Sequence, residues 1–219
     1  MGRIDFLSVA REMAERAPSA AELAEADAHI EAHAREQRLV ESDVLGAITE
    51  EDRAGIVGDK LAVTTHALAT VQRWIVARSG SAKPLTTLAL VGETGRGKTV
   101  AGAWLIAKLG GTYVTAEHVR RIYRSGRPQD GAEFARLLST RVLVLDDAGT
   151  EDDAASAMAS MFEAVNKRTG LARGWTLITA NLAEPEFRSR YGERTLRRIE
   201  HQGAIVTVTG ADLRRKAGK

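Results

Sequence analysis

Short, fully apolar runs alternate with longer stretches of helical apolar spacing from residue 61 towards the carboxyl terminus. The runs predict buried strands at 88–91, 112–115, 142–145, 175–179 and 204–208. Apolar residues that recur every three or four positions predict helices at 61–78, 100–106, 116–125, 132–138, 154–169, 185–191 and 193–200. Strands and helices that alternate at this size indicate an α/β domain, in which helices cover both faces of a parallel sheet.

The amino-terminal part of the chain has a different pattern. Apolar residues at helical spacing within 4–40 predict two helices, which Pro18 separates. Each helix has only a narrow apolar stripe, so it must pack on the other helix, on the α/β domain or on another protein. Residues 41–60 are polar and contain glycines, which is typical of a connector. We therefore divide the chain into a small helical N-terminal segment, 1–58, and a second domain, 59–219.

Composition bears on the cellular compartment. The chain has no cysteine, which excludes disulfides and cysteine-ligated zinc and suits a reducing environment. No apolar run approaches the roughly 20 residues that a membrane-spanning helix needs. The amino terminus also lacks the basic-then-apolar pattern of a secretory signal. We expect a cytoplasmic protein that does not contact membranes.

The net charge of +2 conceals an uneven distribution. Residues 1–60 hold 14 acidic and 7 basic side chains, whereas residues 61–219 hold 15 acidic and 24 basic ones. This asymmetry indicates different partners for the two parts, and nucleic acid is a candidate for the basic part. The alternative is that the solvated helix faces simply differ in charge.

The strand at 88–91 leads into a glycine-rich turn, and an apolar helix begins near Val100. The turn fits the phosphate-binding loop pattern G-x-x-x-x-G-K-[ST] and reads Gly92-Glu93-Thr94-Gly95-Arg96-Gly97-Lys98-Thr99. Its glycines let backbone N–H groups converge on an anion, and the following helix adds a partial positive charge. Lys98 supplies a cation for the phosphates, and the Thr99 hydroxyl supplies a Mg²⁺ ligand. The turn therefore predicts binding of a nucleoside triphosphate with Mg²⁺.

Polar side chains follow two later strands of the predicted sheet. Asp146 and Asp147 end the apolar run 142–145, and Asn181 follows the run 175–179. In phosphate-loop enzymes the acid at such a strand end holds Mg²⁺, so we assign Asp146 to the metal. A second carboxylate can deprotonate the attacking water, and we assign that role to Asp147. Asn181 is a candidate to contact phosphate or water, with a simple turn former as the alternative.

Arginines are concentrated in one segment near the carboxyl end: Arg188, Arg190, Arg194, Arg197 and Arg198. The planar guanidinium is suited to phosphates, and one such arginine can reach the γ-phosphate of a neighbouring subunit as an arginine finger. A solvated helix face or a nucleic-acid patch is the alternative for any one of them.

Together these segments resemble the AAA+ ATPases of the bacterial helicase-loader group. The group includes DnaC-type and DnaI-type loaders and the IstB-type helper proteins of insertion sequences. The resemblance lies in residues 92–99, 142–149, 177–181 and 191–198, and in the ending 206–214. It implies a P-loop NTPase fold with five parallel strands, ATP as ligand, ATP-dependent self-assembly into a spiral or ring, and binding of single-stranded DNA.

The resemblance also implies roles for single residues. Asn181 corresponds to sensor 1, Arg198 to the arginine finger acting on a neighbouring subunit, and Arg214 to sensor 2. Arg194 is a second candidate for the finger. The chain ends five residues after Arg214, so we expect a truncated lid.

In initiator-like ATPases of this kind, an extra helix between the two nucleotide motifs lines the DNA channel. Four arginines occupy that interval here, and we expect them to follow a phosphate backbone: Arg120, Arg121, Arg124 and Arg127. Tyr123 is a candidate to stack on a base, and a buried core position is the alternative for it.

The leading hypothesis is an ATPase that loads a replicative helicase onto single-stranded DNA. The alternative is a transposition helper whose partner is a transposase, and residues 1–58 would contact either partner. A small-molecule kinase and a nucleotide-gated scaffold without appreciable hydrolysis are rivals of other classes. The paired acids and the arginine-rich segment argue against the kinase.

Overall fold

The computed structural model describes residues 65–80, 85–168 and 174–212, with the side chains of residues 79 and 80 excepted. The N-terminal segment 1–58 and Arg214 lie outside the described residues. None of the helices in the described ranges is long and apolar enough to cross a membrane.

The described elements alternate as the apolar pattern predicts. The helices are α1 (His66–Gly80), α2 (Lys98–Leu109), α3 (Ala116–Ser125), α4 (Pro128–Ser139), α5 (Ala154–Arg168) and α6 (Glu184–Gln202). The strands are β1 (Thr87–Val91), β2 (Thr112–Thr115), β3 (Val142–Ala148), β4 (Trp175–Ala180) and β5 (Gly203–Thr207). This confirms the predicted α/β class with five strands.

The five strands form one sheet in the order β2-β3-β4-β1-β5, and every pair is parallel. After β1 the chain therefore crosses over both β4 and β3 to reach β2 at the far edge. Parallel strands all end at the same edge of the sheet, so the turn after β1 and the acids at the end of β3 lie along one rim. A crevice at such a reversal of strand order is where α/β sheets bind ligands.

The sheet is buried on both faces, which explains its continuous apolar strands. Alternate residues of a strand point to opposite sides. Leu88 and Leu90 of β1 therefore join the core under α1 and α2. Ala89 and Val91 join the core under α3, α5 and α6. All four side chains are fully buried.

Hydrogen bonds and aromatic contacts join helix α1 to the starts of β1 and β4. Trp74 donates its indole N–H to the carbonyl of Leu85 at 3.0 Å, and its ring packs edge-on against Trp175 at 5.0 Å. Arg78 lies over the Trp175 ring at 4.1 Å and donates to the carbonyl of Gly174 at 2.7 Å. These contacts explain why the helix predicted before the phosphate loop belongs to the α/β domain.

Several predicted boundaries differ from the structure, and two of these differences have a clear physical reason. The helix predicted at 132–138 begins earlier, at Pro128 of α4, where proline is tolerated because its missing N–H is not needed. The helices predicted at 185–191 and 193–200 form the single element α6, which kinks at Gly192 with φ 73° and ψ 153°. A residue with a Cβ rarely adopts that φ, so glycine permits the change of direction.

Arg168 stabilises the amino ends of the strands, at the side of the sheet opposite the phosphate loop. Its guanidinium is buried and donates to the carbonyls of Leu138 (3.0 Å), Thr140 (2.7 Å), Arg141 (3.4 Å) and Trp175 (2.7 Å), and to the hydroxyl of Thr176 (2.7 Å). Burial lowers the pKa of Arg168 to about 10. One side chain thus joins α4, α5 and the starts of β3 and β4.

We expect Arg168→Met to lower the free energy of unfolding by about 2–4 kcal/mol, because it leaves several buried carbonyls without a donor. The neighbouring Lys167→Met is the control. Lys167 is exposed and pairs with Glu163 at 3.6 Å, a contact worth at most about 0.5 kcal/mol. Urea denaturation of both variants measures the difference, and equal losses would contradict the anchoring role of Arg168.

Candidate functional site

The phosphate-binding turn links the end of β1 to the start of α2. Gly97 caps α2 in a left-handed conformation, with φ 79° and ψ 18°. A Cβ at Gly97 would also lie 3.0 Å from the side chain of Thr65, just before α1. The backbone conformation therefore favours glycine at this position, and a Cβ would also require the Thr65 side chain to shift. The N–H groups at the start of α2 face the rim where an anion would bind.

Lys98 lies inside this turn and not in solvent. Its side chain is buried, and its ammonium group donates to the carbonyls of Gly92 at 2.9 Å and Glu93 at 2.7 Å. The Lys98 side chain thus extends back across the loop, and its ammonium group lies against the loop backbone. Binding of the β- and γ-phosphates by Lys98 stays a prediction.

The outer side of the turn is exposed and contacts the carboxyl-terminal segment. Glu93 and Thr94 are exposed, and Val100 in the first turn of α2 is half-buried. Arg96 forms an ion pair with Glu93 and donates to the carbonyl of Gly210. Residues 210–212 thus pack over the loop, since a Cβ at Gly95 would collide with the carboxylate of Asp212.

Asp146 occupies the centre of the rim, near the end of β3. Its carboxylate is buried, and three hydroxyl groups from other elements point at it. Thr99 lies 3.3 Å from both carboxylate oxygens, Tyr113 donates to one at 2.5 Å, and Thr179 donates to the other at 2.5 Å. The structure therefore brings Thr99 and Asp146 together, and their role as metal ligands stays a prediction. Their oxygens are the ligand type that Mg²⁺ prefers, so the residues present fit that ion.

Asp147 is held in an unusual backbone conformation beside this centre. It is the only non-glycine with positive φ in the described ranges, at 58°, and the pairing of β3 with β4 shifts register here. Its N–H donates to the Thr179 hydroxyl at 3.1 Å, and Asn181 donates to its carboxylate at 2.5 Å. Such strain is stored at functional sites, where it sets the direction of a side chain.

The environment raises the pKa of the Asp147 carboxyl above its ordinary value. Burial is the largest cause and the negative charge of Asp146 is the second, whereas Lys98 and the Asn181 hydrogen bond act in the opposite direction. A carboxylate with a raised pKa binds a proton more readily. The raised pKa is therefore suited to accepting a proton from water.

Sequence reasoning did not identify Tyr113 and Thr179. Each is a polar residue within a buried strand, and the two strands flank β3. Their polarity in an apolar run was the available signal. Only the strand order shows that both hydroxyls face Asp146.

Helix α6, which contains the arginine-rich segment, runs from the carboxyl ends of the strands back to their amino ends. Near its start, Leu182 accepts from the N–H of Gly92, while at its end Gln202 accepts from the N–H of Thr86. Arg198 lies four residues before Gln202, about 6 Å along the helix axis, and so is towards the edge away from its own phosphate loop. Arg198 is exposed and forms no ion pair within the described part of the chain.

Two other arginines of α6, Arg188 and Arg194, are engaged in contacts. Arg188 pairs with Glu184 and Glu200, and the guanidinium of Arg194 lies over the ring of Phe162 at 4.2 Å. Arg194 is nevertheless exposed at the surface that α5 and α6 share.

The four arginines of the α3 region are not equivalent. Arg120 is buried and forms an ion pair with Glu117, whereas Arg121 donates to His118 Nδ1 at 2.8 Å and is exposed. Arg124 pairs with Asp153 at 3.1 Å, and Arg127 is exposed at the turn before α4.

These arginines line a groove of about 560 Å³ beside α3 and α4. The buried alternative for Tyr123 is wrong, because this side chain is 40% exposed, with its ring 5.4 Å from that of Phe134.

The family model of the IstB-like ATP binding protein matches residues 82–219, which is more than half of the chain. The chain belongs to the IstB-like ATP-binding protein family. This finding confirms the predicted DnaC/IstB-type AAA+ class. The search of curated proteins finds no match.

Solved structures of the same fold are similar to this family member. The DnaI structure has a TM-score of 0.53 and 17% identity, over 72% of this chain and 94% of that one. A DNA replication initiation factor has a TM-score of 0.54 and 20% identity, over 76% of this chain and 51% of that one. The initiator DnaA bound to AMPPCP and single-stranded DNA has a TM-score of 0.51 and 20% identity, over 73% and 50%. The matched region spans about half of the two initiators, and identities this low show the shared fold alone.

We expect Asp147→Asn to stabilise the protein at pH 7, because it removes the repulsion from Asp146 and the cost of burying a charge. The raised pKa means that the ionised form is the costly one. The gain is therefore present at neutral pH and disappears as the pH falls below the ordinary aspartate pKa. Thermal denaturation at pH 7 and at pH values near 4 measures this dependence.

Asp152→Asn is the control, because it removes an exposed carboxylate from the same loop. We expect it to give no gain at either pH. A destabilised Asp147→Asn variant at pH 7 would show that the carboxylate is not under electrostatic strain.

Proposed function

We propose that this protein is an ATPase that loads a replicative helicase onto single-stranded DNA. The observation that carries the ATPase part is the shared site of Thr99 and Asp146, with Asp147 held next to it by Asn181. Membership of an ATP-binding family supports ATP as the nucleotide. The fold shared with DnaI and DnaA supports a role in DNA replication.

In the proposed reaction, backbone N–H groups of residues 92–99 and the charge of Lys98 bind the phosphates of ATP. Thr99 and Asp146 would hold Mg²⁺, which when bound neutralises charge on the β- and γ-phosphates. Tyr113 and Thr179 keep the Asp146 carboxylate in a single orientation.

Asp147 accepts the proton of the attacking water, and Asn181 fixes the direction of the Asp147 carboxylate. Arg198 of a neighbouring subunit would stabilise the charge that develops on the transferred phosphoryl group. Arg198 is exposed and lies towards the end of α6 that is away from its own phosphate loop, which supports action on a neighbour. A small-molecule kinase is less well supported, since it has no use for a base directed at water.

A transposition helper with the same ATPase domain is the second candidate, because the matching family model is named after IstB. The two functions share the site and differ in the partner of residues 1–58. Binding of the full chain to a purified replicative helicase or to a transposase, with a non-hydrolysable ATP analogue present, separates them.

Arg198→Ala should leave nucleotide affinity unchanged but lower the ATP hydrolysis rate by about 10³-fold or more, which is the range for arginine fingers. Sedimentation with a non-hydrolysable ATP analogue should show assembly of the wild type and weaker assembly of this variant. Arg197→Ala is the control, because it removes the adjacent exposed arginine of the same helix. A wild type that stays monomeric with analogue and DNA present would refute the intersubunit role.

The groove beside α3 is our proposed DNA contact. Its exposed arginines are Arg121, Arg124 and Arg127, and Arg124 is already paired with Asp153, so we take Arg121 and Arg127 as the accessible ones. Arg120 contributes less in this proposal, because Glu117 already pairs with its guanidinium. Replacing both accessible arginines by glutamine should weaken binding of single-stranded DNA at every sequence. It should reduce the slope of log K against log salt by about 0.7 for each phosphate that the protein no longer neutralises.

Arg136→Gln is the control for that measurement, since Arg136 is an exposed arginine of α4 outside the groove. Fluorescence anisotropy at several salt concentrations gives the slopes. An unchanged slope in the double variant would place the DNA contact elsewhere.

A further inference from the structure

Glu151 is a buried acid that the proposed chemistry does not use. It lies four residues after Asp147, and its side chain is 1% exposed. One carboxylate oxygen accepts from the Tyr191 hydroxyl at 2.7 Å. The other accepts from the Gly149 N–H at 2.8 Å and from Arg190 at 3.3 Å. Every one of these donors belongs either to the loop after β3 or to α6.

On one side, Glu151 closes the loop that begins with Asp147. The Gly149 N–H is bound by the Glu151 carboxylate, and the Thr150 hydroxyl donates to the carbonyl of Asp147 at 2.8 Å. Residues 147–151, which comprise the end of β3 and the turn after it, are therefore internally bonded, and we call them the loop of Asp147. Movement of Glu151 would be transmitted to the backbone that sets the direction of the Asp147 side chain.

On the other side, Glu151 holds α6 directly before its kink. Arg190 donates to the backbone carbonyl of Glu151 as well as to its carboxylate. Tyr191 is fully buried, and its ring packs on Phe187 at 4.9 Å. The next residue is Gly192, where the helix changes direction. Arg194 and Arg198 both lie after that kink.

Packing alone does not require a carboxylate at this place. A buried charge is costly unless its hydrogen bonds are complete, and apolar residues of the same volume are often at least as stabilising. The carboxylate of Glu151 accepts hydrogen bonds from both the loop of Asp147 and α6. This arrangement is better explained by a need to hold these two segments in a fixed relative position. The charge of Glu151 also contributes to the raised pKa of Asp147.

We propose that Glu151 is a positioning residue that joins the loop of Asp147 to the kink of α6, and thus sets the catalytic base and the intersubunit arginines together. The proposal rests on the proposed ATPase function for its consequence, though not for the physical connection. Through the contacts of Glu151, ATP hydrolysis next to Asp147 would alter the position of Arg194 and Arg198 at the surface that faces a neighbouring subunit.

Tyr191→Phe is the main test, because it removes one hydrogen bond to Glu151 and keeps the buried ring. Hydrogen exchange of the full chain without nucleotide should be about tenfold faster at both 147–151 and 190–196, as expected for one lost buried hydrogen bond. The matched control is Tyr123→Phe, which removes an exposed hydroxyl and should change neither segment. Faster exchange in only one segment, or in neither, would overturn the proposed connection.

Steady-state kinetics of ATP hydrolysis give a second test, because a variant that is merely less stable would not lower kcat at an unchanged KM. Tyr191→Phe should lower kcat for ATP by about tenfold with KM nearly unchanged, because alignment and not binding is affected. Glu151→Gln should lower it further, since it also breaks the pair with Arg190. If Glu151→Gln fails to fold, Tyr191→Phe still decides. An unchanged kcat in Tyr191→Phe would overturn the positioning role.

The two proposals fail in different ways. A wild type that binds no ATP and releases no phosphate would refute the ATPase function. The exchange experiment needs no nucleotide, so in that case coupled exchange of the two segments would still support the role of Glu151, and independent exchange would refute it.

Discussion

The structure depends on one buried carboxylate and the hydroxyl groups directed at it. Asp146 receives contacts from Thr99 after β1, Tyr113 of β2 and Thr179 of β4. An unpaired charge at this depth would be strongly destabilising, so the surrounding elements must supply donors. These contacts join α2, β2 and β4 to the end of β3 along one rim, and that rim is the candidate nucleotide site.

The strand order makes this convergence possible. Because β4 lies between β1 and β3, the phosphate loop and the acidic strand end flank a common strand, with Asn181 directly after it. The left-handed backbone at Asp147 then directs its carboxylate to Asn181. A conformation of this kind costs stability, and the buried sheet around it keeps the residue in place.

The buried arginine Arg168 and the acidic pair Asp146 and Asp147 have different effects on the fold. Arg168 stabilises the edge of the sheet away from the nucleotide site, with hydrogen bonds to carbonyls that need a donor. Asp146 and Asp147 place like charges side by side at the opposite rim, and the charge of Asp146 helps to raise the pKa of the Asp147 carboxyl. Hydrogen bonds thus stabilise the strand starts, whereas the strand ends carry a repulsion between two carboxylates at the candidate nucleotide site.

The sequence by itself determined the strands, most helix boundaries and the residues of the phosphate loop. These follow from local periodicity and from a contiguous motif, which act over a few neighbouring residues. Only the tertiary structure decided the strand order, the hydroxyls of Tyr113 and Thr179 on Asp146, and the pairing of Arg120 with Glu117. It also showed the connection through Glu151 to Tyr191, residues 40 positions apart. Contacts at such separations depend on how the whole sheet assembles, and no local pattern encodes them.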